Sequence, residues 1–395
     1  MINSKYIFKG SKIDSLDKLS EVLDIDIDEL TNTLLLEDEA KYKAGFIKKS
    51  NGKLRSIYNP NTILRKIQRR IKNRIFCQIE WPDYIFGSIP ADEISSNDYV
   101  ASAAKHCGAR AILKLDIEDF FDNITQELVE KIFKDFFKYE KDDLHRILAQ
   151  LCCVDGKVPQ GGITSSYLAS LALFSIEERL FFRLKNKKLT YTRYVDDITI
   201  SSENAQYNFD SIIKIVEGQL NSLDLPLNVE KINIERFSTK ALKVHNIRID
   251  LKTPRFDKSE VKNIRAAIHR LEKLVKKPNY RTHYFYRIDF NRCQGLVSKL
   301  SRVNHASVAK LQRKLDTIKP LPNRSDIVFI ETSIESLKKY FTSQKGSGSF
   351  IYNRKFFKIQ HRIGFLKSHP KGIYTERANS LNAELQKYRL RQING

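Results

Sequence analysis

The strongest constraint on this chain is a set of acids placed where acids are costly. Thr190 to Ser201 alternates as two apolar strands folded tightly at Val195-Asp196. Asp196 and Asp197 therefore stand at the tip of an apolar hairpin. A third acid, Asp116, closes the apolar run Ala111-Ile112-Leu113-Lys114-Leu115. Carboxylates beside so much apolar strand cost free energy unless a cation neutralises them. Acids from two neighbouring strands could hold two Mg2+ ions about 3.5–4 Å apart, and hard oxygen donors suit that ion. Alone, an Asp-Asp pair reads as a turn and an Asp after a strand as a cap. The order is more specific: Asp116, then the turn Pro159-Gln160-Gly161-Gly162, then a helix capped by Thr164 or Ser165 and running to about Leu184, then the acidic hairpin.

The rest of the chain reads as short elements around these. Residues 1–40 are acidic, with Leu16, Leu19, Val22 and Leu23 and then Ile27, Leu30, Leu34 and Leu35 at helical spacing. Residues 42–58 alternate as a hairpin turning at Asn51-Gly52. A basic amphipathic helix is expected over about Thr62 to Gln78, and one long helical stretch over about Gln126 to Leu151. A helix over about Phe209 to Leu223 leads to a strand around Lys231 to Phe237. After Thr253-Pro254 the spacing predicts a basic helix over Ser259 to Lys277 and two more over Asn291 to Ile318. Lys319-Pro320-Leu321-Pro322 reads as a linker, and Lys345-Gly346-Ser347-Gly348-Ser349 as a flexible loop before a basic final segment.

Charge is distributed unevenly. Residues 1–250 hold 37 basic and 37 acidic side chains, whereas residues 251–395 hold 32 basic and 10 acidic, the whole net charge of +22. Such asymmetry fits a polyanion partner, because each neutralised phosphate releases counterions. Aromatics such as Tyr284, Phe285, Tyr340 and Phe357 interleave with those cations and suit stacking on unpaired bases. A solvated basic surface with its own aromatic core is the blander reading.

Other classes are disfavoured. A content of 41% hydrophobic and 29% charged residues is globular. No run reaches the ~18 apolar residues of a membrane span, and the first residues do not read as a secretion signal. Cys77, Cys107, Cys152, Cys153 and Cys293 form no C-x-x-C pair, so a reducing cytoplasm is expected. The eight histidines lack metal-site spacing, and no phosphate-cradling Walker loop is present.

In order, the motifs over about residues 40–250 resemble a reverse transcriptase of the bacterial retron and defence-associated type. Leu115-Asp116-Ile117-Glu118-Asp119-Phe120-Phe121 is similar to the first palm motif. Val158-Pro159-Gln160-Gly161-Gly162-Ile163-Thr164-Ser165-Ser166 resembles the motif supporting template and incoming nucleotide. Arg193-Tyr194-Val195-Asp196-Asp197 resembles the Y-x-D-D signature, Leu227-Asn228-Val229-Glu230-Lys231 the next motif, and Lys53-Leu54-Arg55-Ser56-Ile57 the fingers strand. Departures from the pattern are Ile163, Ser166 and Ser170 in the middle motif, Ser102 where retrons carry Asn in N-A-x-x-H (His106 is kept), and Val244-His245-Asn246 in place of V-T-G. A retron enzyme and a related defence-associated enzyme outside the retrons both remain open at this point.

The resemblance implies an α+β right-hand polymerase. Its parts would be an acidic helical segment at 1–40, fingers at 41–110, and a palm at 111–250 with an antiparallel sheet and the Y-x-D-D hairpin. Residues 126–157 would belong with the fingers. A helical thumb at 251–320 and a basic C-terminal extension at 321–395 would follow. Asp116, Asp196 and Asp197, with the Ile117 carbonyl, would hold two Mg2+ ions, Mn2+ being a substitute. Lys231 would be a general acid for pyrophosphate. Lys53, Arg55, Gln160 and Gly161 would bind the nucleotide, and Phe121 would exclude a ribose 2′-hydroxyl. Lys262, Arg265, Arg292, Lys299 and Arg302 would meet nucleic acid. The implied activity is RNA-directed DNA synthesis from dNTPs on a structured non-coding RNA, yielding a primer-extended cDNA in antiphage defence. An accessory defence protein would be a further partner, with no membrane involved. The rival readings are untemplated, repetitive or protein-primed synthesis, and a non-catalytic RNA-binding scaffold.

Overall fold

A computed structural model describes residues 4–48, 52, 54–91, 96–238, 240–343, 350–368 and 373–389. The chain divides into two compact units, residues 1–256 and 257–394.

In the first unit, β1 (Ile7–Phe8) precedes α1 (Leu16–Leu23) and α2 (Ile27–Leu34). Ser15 and Asp26 cap the two helices, each side chain accepting a backbone N–H of the first turn. The leucine spacing buries Leu19, Leu23 and Leu30. After α3 (Asp38–Lys41), β2 (Tyr42–Lys48) and β3 (Leu54–Pro60) pair antiparallel, Lys48 opposite Leu54. Gly52, at φ 83, lies in the expected turn, while its neighbour Asn51 falls outside the described residues. Asn61 caps α4 (Thr62–Arg70), which continues through a π turn at Ile71–Ile75 and a 3-10 turn at Phe76–Gln78. Then come β4 (Ile79–Glu80), β5 (Ile85–Phe86), α5 (Tyr99–Lys105) and β6 (Ala111–Asp116).

Two expected helices are broken. The stretch from Gln126 is divided into α7 (Gln126–Lys131) with a π turn to Phe136, and α8 (Leu144–Cys152); α6 (Phe120–Asn123) precedes them. Lys138, Asp142 and Asp143 adopt positive φ between them, and Tyr139 turns into the core beside Phe8 and Phe137. The helix after Thr164 is likewise two, α9 (Ser165–Leu171) and α10 (Phe174–Asn186). Thr164 is already helical in φ and ψ, so its side chain makes no cap hydrogen bond.

The remaining elements are β7 (Thr190–Tyr194), β8 (Asp197–Ser202), α11 (Asp210–Asn221), β9 (Asn233–Arg236), β10 (Lys243–Val244) and β11 (Ile247–Arg248). The main sheet has five strands in the order β5-β7-β8-β6-β9. All its pairs are antiparallel except β5 with β7 at one edge, so the expected antiparallel palm sheet carries one parallel pair. Its register sets Asp116 opposite Asp197. Leu113, Leu115, Ile198 and Ile200 lie in the core beneath.

The second unit is helical. It comprises α12 (Lys258–Val275), α13 (Tyr284–Ser301), α14 (Val308–Thr317), α15 (Arg324–Ser343), α16 (Phe350–Lys367) and α17 (Ile373–Gln386). α13 begins seven residues before the expected Asn291, because Tyr286, Arg287 and Phe290 are buried by its first turns. The last three helices enclose their own core around Ile330, Ile334, Tyr352, Ile363 and Leu381. The Lys345–Ser349 loop lies outside the described residues. No described helix is long and apolar enough to cross a membrane.

Candidate active site

The hairpin joining β7 and β8 turns on two residues, with Tyr194 paired to Asp197. Val195 takes φ 60 and Asp196 has no positive φ, which is the type II′ pattern whose twist matches the flanking strands. Glycine is favoured at that first position. A β-branched residue there costs on the order of 1–3 kcal/mol, a strain usually found where geometry serves function. Ile117, just beyond β6, directs its N–H to the Asp196 carbonyl at 3.4 Å. The three acids are thus gathered at one end of the sheet.

Their electrostatics follow from that crowding. Burial raises the Asp196 carboxyl above its ordinary value, and the charge on Asp116 adds to the effect. Asp197 is pushed up to about 6 by burial and by the charges on Asp196 and Asp116. Lys231 Nζ meets Asp116 Oδ2 at 2.7 Å, and this hydrogen bond raises the lysine's pKa. Asn228 donates its N–H to the Asp116 carbonyl at 2.8 Å, tying the Lys231 segment to the end of β6.

Among the described residues, no three His, Cys, Asp or Glu side chains converge on a common metal position. The donor set nevertheless fits a hard divalent cation: two of the three carboxylates, Asp196 and Asp197, have raised pKa values, and an ammonium rests on the third, Asp116. Asp116, Asp196 and Asp197 could hold the ion.

The nucleotide-side candidates stand around β3. Tyr58 donates its N–H to the Gln160 carbonyl at 2.8 Å. Gly161 takes φ +114, and a Cβ there would lie 2.7 Å from the Tyr58 carbonyl oxygen, so only glycine lets the turn approach the strand. Arg55 is exposed on β3, and its charge is felt at Asp196. Lys53 lies outside the described residues. Phe121 is half-buried and edge-on to Phe120, with ring centroids 6.0 Å apart.

One supporting residue had no signal beyond a polar letter in an apolar setting. Gln68, fully buried on α4, donates to the Tyr42 hydroxyl at 2.7 Å and the Leu151 carbonyl at 2.8 Å, and accepts from Ile163 N–H at 3.0 Å. It braces the Gln160 turn from below. His106 is buried between Ser201 Oγ at 2.7 Å and Thr192 Oγ1 at 2.8 Å. Burial, then the neighbouring His245, holds its pKa down to about 3, so the ring is neutral. Ser102 Oγ is 3.3 Å from Thr192 Oγ1, on the strand that leads to the hairpin. His245 and Asn246 both have positive φ and make the two-residue turn between β10 and β11; the His245 ring lies 4.7 Å from that of Tyr194.

In the second unit, Lys262, Arg265, Arg292 and Arg302 are exposed on α12, on α13 and just after it. Lys299 is half-buried and ion-paired with Glu260, and Arg265 donates to Ser307 Oγ at 2.5 Å.

Residues 47–265 match the family described as reverse transcriptase (RNA-dependent DNA polymerase). The chain is similar to the Retron Ec48 reverse transcriptase of Escherichia coli, with 39% identity over 364 residues, covering 91% of this chain and 89% of that protein. It is also similar to the Retron Se72 reverse transcriptase of Salmonella heidelberg (strain 579083-10), with 33% identity over 321 residues, covering 80% and 82%. Among solved structures, apo telomerase from Candida tropicalis aligns at a TM-score of 0.44 and 11% identity, covering 89% of this chain and 65% of that one, too loosely to bear on mechanism.

Proposed function

The chain belongs to the reverse transcriptase family of the bacterial retrons, and from that premise we propose how its residues carry out DNA synthesis. It is an RNA-directed DNA polymerase with a right-hand fold. The alternative of a related enzyme outside the retrons is set aside by the identity to two retron enzymes over most of the chain.

In the reaction, a primer 3′-hydroxyl attacks the α-phosphate of a dNTP; the new O–P bond forms as the bond to pyrophosphate breaks. Asp116, Asp196 and Asp197 are the metal ligands in this reading, with the Ile117 carbonyl beside them. Bound there, two Mg2+ ions, or Mn2+ in their place, supply charge neutralisation and lower the pKa of the attacking hydroxyl. Gln160 and Gly161 seat the incoming nucleotide, and Arg55 and Lys53 draw its phosphates. The Phe121 ring occupies the space a 2′-hydroxyl would need. Lys231, protonated at neutral pH, is positioned to give its proton to the leaving pyrophosphate. Catalysis is mostly positioning and charge stabilisation.

Residues 41–110 serve as fingers with 126–157, residues 111–250 as palm and 251–320 as thumb. Residues 251–395, with their excess cations, hold a structured non-coding RNA and its cDNA. The cellular role is antiphage defence in the cytoplasm, with an accessory defence protein.

One observation carries the reading: the strand register that pairs Asp116 with Asp197 beside the Asp196 turn. The test is dNTP incorporation by Asp196→Asn and Asp197→Asn variants on an RNA template. Loss of at least about a thousandfold is expected, the order at which removing a principal electrostatic group acts. Unchanged incorporation by the folded double variant would leave an RNA-binding scaffold as the better account. Phage plating with the same variants tests the defence role.

A further inference from the structure

Outside the acidic cluster, a densely connected polar group of the first unit adjoins the hairpin strand β7. Arg193 and Glu177 are both fully buried. Arg193 donates from Nε to Glu177 Oε1 at 2.7 Å, and from Nη2 to Glu177 Oε2 at 2.8 Å, the Ser170 carbonyl at 2.7 Å and the Tyr6 hydroxyl at 3.0 Å. Its Nη1 donates to the Val195 carbonyl at 2.9 Å. The Tyr191 hydroxyl completes Glu177 Oε1 at 2.6 Å, and the Tyr6 hydroxyl donates to Oε2. Burial opposes the charge on Arg193, but Glu177 and the tyrosines outweigh it and hold the guanidinium protonated.

Two facts point beyond core stability. A buried ion pair is poor value as a stabiliser, since apolar residues of similar volume do as well. And this one is aimed at the residue that directs Asp196. The strained Val195 peptide is held on both sides, its N–H on the Phe86 carbonyl at 3.3 Å and its carbonyl on Arg193. With two residues in the turn, fixing Val195 fixes where Asp196 begins. Tyr6 extends the brace to the N-terminal segment, outside the residues that match the family.

We propose that Tyr6, Glu177 and Arg193 act as positioning residues that hold the Val195-Asp196 turn in its reactive geometry, with the N-terminal segment as a strut. The inference rests on Asp196 being one of the acids that carry the chemistry. Tyr6→Phe is the mild probe: it keeps the ring against Trp81 and Phe136 and removes only the hydroxyl. Arg193→Lys keeps the charge but reaches fewer partners.

Full-length variants are compared in single-turnover dNTP incorporation on an annealed RNA template. Active fraction, KM for dNTP, Mg2+ titration and thermal midpoint are read alongside. For Tyr6→Phe the expected result is a full active fraction and a KM within about twofold. Its rate falls about tenfold, the worth of one buried hydrogen bond to a charged group, and half-saturation by Mg2+ moves to higher concentration. Arg193→Lys falls further in rate with the same unmoved KM. An unchanged rate, or a loss matched by the loss of active fraction, overturns the proposal. Asp196→Asn is run in parallel. If it too leaves incorporation intact, the catalytic reading has failed; if it abolishes incorporation while Tyr6→Phe does not slow it, only the strut has failed.

Discussion

Asp197→Asn is expected to stabilise the metal-free protein while abolishing its chemistry. Burial, and then the charges on Asp196 and Asp116, lift the Asp197 carboxyl from 3.8 to about 6. At ~1.4 kcal/mol per unit, that shift of about two units bounds the cost of the charge near ~3 kcal/mol. The carboxyl is desolvated by its neighbours, but the residue as a whole stays open to solvent where β8 begins, so screening reduces the cost to ~1 kcal/mol. An acid whose folded pKa is raised destabilises the fold above that pKa and not below its unfolded value. The asparagine variant should therefore melt ~2–4 °C higher than wild type in EDTA at pH 7.5, using the slope of ~2–4 °C per kcal/mol for a domain of this size. The gap should close as pH falls from about 6 toward 4. Only the difference is diagnostic, because His106 and His245, held neutral with pKa values pushed down to about 3 and about 4, destabilise both proteins as acid charges them. Adding Mg2+ should reverse the order, since ligand stabilises only the protein that binds it well. Thermal melts across pH, with EDTA and with Mg2+, measure all of this. A variant less stable than wild type at pH 7.5 in EDTA, or a gap independent of pH, would refute the crowding argument.

Gly161→Ala combines a positive φ with a Cβ against the Tyr58 carbonyl, so the turn must shift: the melting midpoint should fall and nucleotide KM should rise about tenfold or more, read by thermal melts and steady-state kinetics. Phe121→Ala should relax discrimination between dNTP and rNTP, read from competing incorporation, and an unaltered ratio would return Phe121 to core packing. Lys262→Ala and Arg292→Ala should each weaken RNA binding and lower the salt slope by about one, measured by titration at several ionic strengths. His106→Leu should cost ~2–4 kcal/mol by stranding the Ser201 and Thr192 hydroxyls, visible in the urea midpoint.

The acidic hairpin was legible because two independent signals coincide there: alternating apolar residues set the strands, and the only acids among them mark the turn. The strand ending at Asp116 was readable for the same reason. Where burial is complete, periodicity disappears. The run through Ala172 and Leu173 is apolar on every side, so nothing in it marks the break at which Leu173 becomes the cap of α10. The loop after Phe137 hid differently, since Lys138, Asp142 and Asp143 are ordinary helix-surface letters whose positive φ follows from seating Tyr139 in the core. Register was beyond reach: the facing of Asp116 and Asp197 depends on how β6 and β8 slide past one another, which the core residues of both strands decide together.

Arg193 is the instructive omission. An arginine in a strand next to a signature motif reads as solvent-facing, and a glutamate inside an apolar helix reads as an interruption. Each letter is explained by the other, sixteen positions away, and by a tyrosine near the N-terminus. The same hairpin therefore carries opposed electrostatic choices. At its tip, carboxylates are partly desolvated and crowded against one another, which raises their pKa values and costs stability. At its base, every Arg193 nitrogen has a partner, with the charge balanced by Glu177. A tip that repels itself would relax by turning its acids apart. The base opposes that relaxation at the Val195 carbonyl, which is why the brace and the acids should be read as one device and why loosening the brace should register first in metal dependence.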